Sequence, residues 1–178
     1  DTGTTISLLK GEIVPVEITG AVAGSAGSPG ELKGRFLTSV PTGTITVNGE
    51  TGAYGSVKSY MKGIEAEVAL AQEVNTGDAE IITTIEGQEP KRYTAVIEKI
   101  ALSSDNPNRN MVVRVTDPRL LTATGGIVQG MSGSPILQDG RLVGAVTHVL
   151  VNDPTRGYGI FAENMVQSAD AAAQREAA

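Results

Sequence analysis

The 178-residue sequence predicts an all-β domain, a barrel or a sandwich, with one α-helix at its end. Short runs rich in β-branched residues recur along the chain as far as about residue 161. Glycine and proline are frequent, with 22 Gly and 8 Pro, as expected when tight turns join short strands. Aromatic residues make up only 3% of the chain, so Val, Ile, Leu and Ala must fill the core.

In the first half of the chain, turn signals separate the predicted strands. Strands are predicted over residues 12–23, 34–40 and 57–70, the last from alternating apolar positions in an otherwise ambiguous segment. The Gly- and Ser-rich segment 24–30 is predicted to be a loop. Asn48-Gly49 is the strongest short hairpin signal in the sequence.

The second half follows the same pattern until the C-terminal helix. Strands are predicted over residues 79–85, 92–101 and 111–115, with a polar loop over 103–110. Asp139-Gly140 predicts the turn of a second hairpin. Residues 162–177 contain helix formers throughout, with apolar side chains on one face, and predict the helix.

Composition excludes several classes of function. The formal net charge is −6, so a phosphate backbone would not be neutralised and nucleic acid is not expected as a partner. The chain has no cysteine and one histidine, His148, which excludes disulfides, thiolate nucleophiles and two-histidine metal sites. No apolar run is long enough to span a bilayer, and no signal peptide is recognised at the start. The sequence predicts neither a bound metal nor a cofactor.

One segment, residues 125–136, differs from the rest of the chain in its chemistry. Gly130 and Gly133 flank Ser132 and allow backbone conformations that other residues avoid. A serine on such a turn can direct its hydroxyl outward, and the backbone N–H groups of Gly130 and Ser132 could bind an oxyanion. Taken alone, such a string is more often a plain glycine-rich loop between strands.

The surrounding sequence resembles that of the chymotrypsin-like serine peptidases. Gly130-Met-Ser-Gly-Ser-Pro135 is followed by the Asp139-Gly140 turn and by Val143-Gly-Ala-Val-Thr-His-Val149. The run from Thr116-Asp-Pro-Arg119 to Gly157-Tyr-Gly-Ile160 is more closely similar to the SpoIVB peptidases, the stage IV sporulation serine peptidases of endospore-forming bacteria. This close resemblance covers residues 111–165.

The resemblance implies a double β-barrel that is incomplete at its N-terminal side. Residues 1–178 would then form one peptidase domain, with approximate lobes 1–100 and 101–161 and a helix over 162–177. The resemblance also implies parts upstream of this chain: a segment with the general-base histidine, a PDZ domain and a membrane anchor.

The resemblance assigns the catalytic roles residue by residue. Ser132 matches the nucleophile and Asp117 the acid, and the two are expected to face each other across one cleft. Gly130, Met131 and Ser132 are expected to form the oxyanion hole. The alternative for Asp117 is a turn-forming residue ahead of Pro118 whose carboxylate caps nearby N–H groups.

A substrate groove is expected beside the nucleophile. The resemblance places Thr147, His148 and Val149 along it, and Gly126 at the position where some relatives carry an acidic pocket base. His148 has three readings: a wall of the groove, a structural histidine, or a substitute general base.

Two functions therefore remain open at this stage. The first is a serine endopeptidase in a sporulation signalling cascade, which cleaves itself and a membrane-protein ectodomain in the space between the mother-cell and forespore membranes. The second is a peptide-binding pseudo-peptidase, or a processed fragment, that does not catalyse. The first requires a histidine from upstream, and the chain by itself is expected to be inactive.

Overall fold

The computed structural model describes residues 8, 10–58, 63, 65–103 and 105–176. Its strands are β1 (Gly11–Ile13), β2 (Val16–Val22), β3 (Glu31–Phe36), β4 (Gly43–Gly49), β5 (Gly52–Val57), β6 (Gly77–Thr83), β7 (Lys91–Ile100), β8 (Met111–Val115), β9 (Pro135–Gln138), β10 (Arg141–Val149) and β11 (Arg156–Phe161). The α-helices are α1 (Pro118–Thr124) and α2 (Ala162–Glu176), and a single 3₁₀ turn covers Ala71–Glu73.

Six of these strands close a barrel in the order β10-β11-β8-β7-β6-β9, with every neighbouring pair antiparallel. The remaining strands form a two-stranded sheet, β2-β3, and a three-stranded sheet, β1-β4-β5. The all-β prediction with a C-terminal helix is confirmed, and the closed barrel is consistent with the chymotrypsin-like fold. The barrel begins at Gly77, so strands on both sides of residue 100 belong to it.

The barrel interior is filled by aliphatic side chains, as the scarcity of aromatic residues predicts. Ile81, Ile97, Val113 and Ile136 have almost no solvent exposure and belong to one apolar cluster. Helix α1 adds Leu120 to the same cluster, and the segment between α1 and β9 adds Ile127, Val128 and Met131. That segment therefore packs into the barrel instead of lying on its surface, which fixes the backbone leading to Ser132.

Several local predictions differ from the structure; the strand predicted over 34–40, for example, ends at Phe36. Residues 65–70 are not a strand: Val68 forms one parallel bridge with Leu142, and the chain then leaves the sheet. Residues 59–62 and 64 of the same prediction lie outside the described part of the chain. The sequence analysis also did not predict α1. Asp117 is its N-cap and accepts a hydrogen bond from Arg119 N, as the capping alternative for Asp117 expects, and Pro118 lies in the first helical turn.

Helix α2 packs against β5, β10 and β11. Its 15 residues carry Ala162 and Ala172 on the buried side. Within the described residues, none of the helices has the length and apolar character needed to cross a bilayer.

An ion-pair network ties three barrel strands together on the outside. Glu98 of β7 accepts hydrogen bonds from Arg156 of β11 at 2.7 Å and from Arg114 of β8 at 2.5 Å. Arg156 also pairs with Asp153. The hydrogen bonds from Arg156 and Arg114 lower the pKa of Glu98 to about 2.

In the variant Glu98→Gln, the free energy of unfolding should therefore fall less than in wild type as the pH is lowered through the acid range. The folded state keeps Glu98 ionised below the pH at which the unfolded chain protonates it, near 4.5. The network thus stabilises the fold fully above that pH, and its contribution is lost as the pH falls towards 2. Urea unfolding of wild type between pH 5 and 2.5 should show this loss, and Glu98→Gln a smaller one. Glu89→Gln, at an exposed position outside any ion pair of the described residues, should follow wild type.

Candidate active site

The loop that carries Ser132 alternates buried and exposed residues over a few positions. Met131 is fully buried, whereas Ser132 and Gly133 are exposed. Gly130 has φ +97° and Gly133 has φ +88°, conformations that side-chain-bearing residues rarely adopt. These two glycines allow the chain to insert Met131 into the core and to present Ser132 outward.

Only some of the backbone N–H groups of this loop donate hydrogen bonds to described residues. Met131 N donates to the Val128 carbonyl at 3.1 Å, and Gly133 N donates to the Val146 carbonyl at 2.8 Å. Among the described residues, the N–H groups of Gly130 and Ser132 donate to no acceptor. Two N–H groups left unused beside an exposed serine are what an oxyanion hole requires. The N–H of Met131 is engaged inside the loop and is not one of these two unused groups, so its expected place in the oxyanion hole stays a prediction that this contact does not favour.

The Ser132 hydroxyl lies against the end of β10. It donates a hydrogen bond to the Thr147 carbonyl at 2.7 Å. The register of β10 against β11 shifts between Val146 and His148, so Thr147 occupies a β-bulge. The bulge therefore lies directly beside the candidate nucleophile.

Residues 147–149 form the half-buried end of β10. Strand β9 pairs with β10 only as far as Ala145, so within the described residues no strand covers the same edge of residues 147–149. Burial lowers the pKa of His148 below its usual value, and the positive charge of Arg109 lowers it further. No further described strand pairs with this edge, and an extended peptide could pair along it.

Asp117 caps the N-terminus of α1 and is buried, with 3% of its surface exposed. Oδ1 accepts from Arg119 N at 2.9 Å and Arg119 Nε at 3.0 Å. Oδ2 accepts from Arg119 Nη2 at 2.7 Å and Thr94 N at 3.2 Å. The Arg119 hydrogen bonds hold the pKa of the Asp117 carboxyl well below its usual range. Four donors thus occupy the four acceptor sites of the carboxylate.

Asp117 and Ser132 lie at the same end of the barrel. Asp117 follows the end of β8, and Ser132 precedes the start of β9. Because β8, β7, β6 and β9 are successively antiparallel, the end of β8 and the start of β9 share one rim. Their expected position across a common cleft stays a prediction.

The sequence model of the family described as SpoIVB peptidase S55 matches residues 1–166 of the 178. The chain belongs to this family. Searches of curated proteins and of solved structures found no match to this chain. Family membership supports a serine peptidase of the SpoIVB type, and a peptidase family implies a protein substrate.

In this SpoIVB-type chain, Gly126 does not lie in an open groove as predicted. It is buried, and a Cβ at this position would overlap the Pro154 carbonyl oxygen. Its own carbonyl accepts a hydrogen bond from the Thr124 hydroxyl at 2.6 Å. Gly126 is therefore a close-packing position between α1 and the start of β11, where no pocket base could be accommodated.

The segment from Gly24 to Leu32 supports the Ser132 loop, a role that the sequence analysis did not predict. Gly24 N donates to the Thr124 carbonyl at 2.9 Å, so the segment is attached to the end of α1. Gln129 N donates to the Gly30 carbonyl at 2.9 Å, and Leu32 N donates to the Gln129 carbonyl at 2.8 Å. The backbone just before Gly130 is therefore held from both sides.

The packing around Gly30 allows no side chain. Gly30 is buried, and a Cβ there would overlap the Val22 carbonyl oxygen and the Gly24 nitrogen. In the sequence, segment 24–30 shows only the composition of a loop. A contact with residues about 100 positions later leaves no local signal.

Proposed function

We propose that the chain is the nucleophile-bearing part of a serine endopeptidase, with Ser132 as the nucleophile. The observation that carries this proposal is the Ser132 loop: an exposed hydroxyl beside two N–H groups, those of Gly130 and Ser132, that no described residue uses. Fixed N–H dipoles of this kind stabilise the negative charge that develops on the carbonyl oxygen during acyl transfer.

The reaction begins when Ser132 Oγ attacks the scissile carbonyl carbon and its proton passes to an imidazole nitrogen. The carbonyl oxygen becomes an oxyanion, held by the N–H groups of Gly130 and Ser132. The imidazolium then gives its proton to the leaving amine, which yields an acyl-serine that water hydrolyses by the reverse sequence. Before attack, the hydroxyl must turn from the Thr147 carbonyl to the base.

We propose that the imidazole comes from a histidine outside these 178 residues. The chain contains one histidine, His148, on the half-buried end of β10. The Ser132 hydroxyl donates its hydrogen bond to the carbonyl of the neighbouring residue, Thr147, and a carbonyl cannot act as a general base. The resemblance to SpoIVB peptidases supports an upstream segment as the source of the base.

The substrate binds as an extended strand along residues 147–149. This edge of β10, which pairs with no other described strand, lies next to Ser132 and offers backbone groups for β-augmentation. The sporulation role implied by the resemblance accompanies this proposal: cleavage of the enzyme itself and of a membrane-protein ectodomain between the mother-cell and forespore membranes. Peptide binding without hydrolysis is the competing outcome.

The catalytic role of Asp117 stays a prediction, and its contacts favour another role. An imidazole N–H could bind the carboxylate only by displacing one of the Arg119 or Thr94 donors. Asp117 and Arg119 together fix the start of α1 and so the route of the chain towards Ser132.

Replacing Asp117 by Asn distinguishes the two roles. A triad acid should lose on the order of 10⁴ in kcat when changed to Asn. We expect instead a kcat within about tenfold of wild type and a loss of about 1–3 kcal/mol in the free energy of unfolding, because a cap and a charge-assisted pair are weakened. Arg119→Gln should destabilise in the same way and not additively with Asp117→Asn, as a double-mutant cycle in urea would show.

A covalent probe tests the proposed function. An organophosphonate should label Ser132 in a form extended upstream to include the family's histidine segment, and should leave the 178-residue chain unlabelled. Mass spectrometry of tryptic peptides identifies the modified residue, and Ser132→Ala in the extended form is the control. Labelling that is absent in the extended form, alongside peptide binding, would favour the pseudo-peptidase.

A further inference from the structure

Arg109 lies at the rim of the proposed groove, and none of the described carboxylates pairs with it. It is exposed and lies one residue before the buried Asn110 that leads into β8. Six other arginines pair with Asp or Glu, namely Arg35, Arg92, Arg114, Arg119, Arg141 and Arg156. Within the described ranges, Arg109 forms no such pair. In a chain of net charge −6, an unneutralised guanidinium at this place is unusual.

The guanidinium of Arg109 is held in place by an aromatic ring. Its central carbon lies 4.9 Å from the centroid of Tyr158, a cation–π distance. Tyr158 of β11 is paired with His148 of β10, so both side chains stand on the same face of the sheet. Burial and the charge of Arg109 both lower the pKa of His148, which favours the neutral imidazole, and Arg109 contributes a positive charge to this surface.

The loop that carries Arg109 is fixed relative to the nucleophile. Thr147 Oγ1 donates to the Asn108 carbonyl at 2.8 Å, and the Thr147 carbonyl accepts from Ser132 Oγ at 2.7 Å. One residue, Thr147, thus connects the loop to the reacting hydroxyl. Asn108 is fixed further by its side-chain amide, which donates to the Glu50 carbonyl at 3.0 Å.

A bound peptide would bring its side chains to this surface. An extended chain advances about 3.3 Å per residue. A substrate with its scissile carbonyl at Ser132 and its acyl side along residues 147–149 passes His148 first, and then reaches the ring of Tyr158 and the guanidinium above it. The side chains two to four residues before the scissile bond are those within reach.

We propose that Arg109, with Tyr158 and His148, forms a specificity subsite that selects a carboxylate side chain on the acyl side of the scissile bond. This inference rests on the proposed function. The guanidinium, already oriented by the ring of Tyr158, offers N–H donors to an Asp or Glu side chain in a bidentate geometry that the neutral His148 cannot provide.

Matched peptides with Glu or Gln test the subsite in the histidine-containing form. At one of the positions two to four residues before the cleaved bond, kcat/KM should favour Glu over Gln by about 5- to 30-fold at low ionic strength, and less in 0.5 M salt. Arg109→Gln should bring the ratio near 1, and Arg109→Glu should invert it. Arg175→Glu is the matched control, since Arg175 is also exposed and unpaired with any described carboxylate but lies in the last turn of α2.

A second measurement separates this inference from the proposed function. The same Glu and Gln peptides, carrying a fluorescent label, are titrated with the 178-residue chain that carries Ser132→Ala. Their binding requires no hydrolysis. Preferential binding of the Glu peptide, lost in Arg109→Gln, supports the subsite even if no form of the protein cleaves peptides. Equal binding and equal kcat/KM for the Glu and Gln peptides at all three positions, or a preference that survives Arg109→Glu, would overturn it.

Discussion

Replacing Ser132 by Ala in a histidine-containing form of the protein should lower kcat for peptide hydrolysis by on the order of 10⁶. The hydroxyl is the group that forms the acyl intermediate, and the neighbouring Ser134 cannot replace it. Ser134 Oγ donates to the Thr83 hydroxyl at 3.0 Å and is therefore oriented towards the end of β6. Steady-state kinetics with one cleaved peptide, supported by a circular dichroism spectrum unchanged from wild type, checks this result.

His148→Ala in the same form is the matched comparison. Since His148 lies at the end of β10 along which the substrate is proposed to bind, its loss should raise KM several-fold and change kcat by less than about tenfold. A loss in kcat as large as that of Ser132→Ala would identify His148 as the general base. Hydrolysis by the unextended 178-residue chain that disappears in His148→Ala would lead to the same conclusion.

Gly30→Ala should lower kcat by roughly 10²–10³, although Gly30 carries no functional group. A methyl group there overlaps the Val22 carbonyl and the Gly24 nitrogen, so the segment must shift. The hydrogen bond from Gln129 N to the Gly30 carbonyl shifts with it, and Gly130 is the next residue along the chain. The expected loss is the loss of correctly placed oxyanion donors.

The control for this variant is Gly49→Ala. Gly49 lies at the end of β4, where an added Cβ meets nothing closer than the Gly52 carbonyl oxygen at 4.0 Å. Its kcat should equal that of wild type. The rate is measured per active site after titration with the phosphonate, so that any unfolded fraction of Gly30→Ala is excluded. A kcat within threefold of wild type for Gly30→Ala would contradict the supporting role of the segment.

The parts of the fold that sequence reasoning predicted are those with strong local signals. The Asp139-Gly140 turn joins β9 to β10. The hairpin indicated by Asn48-Gly49 is formed by β4 and β5, although these two residues end β4 and the turn itself is Glu50-Thr51. Helix α2 follows from its composition. The prediction for segment 65–70 failed because its apolar alternation does not record burial: Val68 and Leu70 are exposed, and Ala69 between them is the buried residue. The segment makes a single bridge, from Val68 to Leu142.

The candidate site was predicted only in part, for a physical reason. The string around Ser132 contains its own turn chemistry in Gly130 and Gly133, so the exposed hydroxyl could be inferred locally. The contacts of Asp117 with Thr94 and the support of Gln129 by Gly30 join residues that are 23 and about 100 positions apart. Pairings of that kind depend on the closed barrel and leave no periodic pattern in the sequence.

At Gly126 the sequence contains a local signal, but the signal indicates the wrong surroundings. Its position six residues before Ser132 indicated a pocket, because the spacing matches that of relatives with an acidic pocket base. The helix α1 that precedes it changes the path of the chain and packs Gly126 against Pro154. Spacing in the sequence located the residue correctly along the chain but not its surroundings.

The most direct test of the central claim, that the Ser132 loop is an oxyanion-binding active site, is a crystal structure of the histidine-containing form after reaction with a peptidyl phosphonate. The structure described here predicts a phosphorus–oxygen bond to Ser132 Oγ. One phosphonyl oxygen should then lie about 2.7–3.1 Å from both Gly130 N and Ser132 N, with the peptide extended along residues 147–149. An adduct on another residue, or a phosphonyl oxygen directed to solvent with both N–H groups unused, would contradict it.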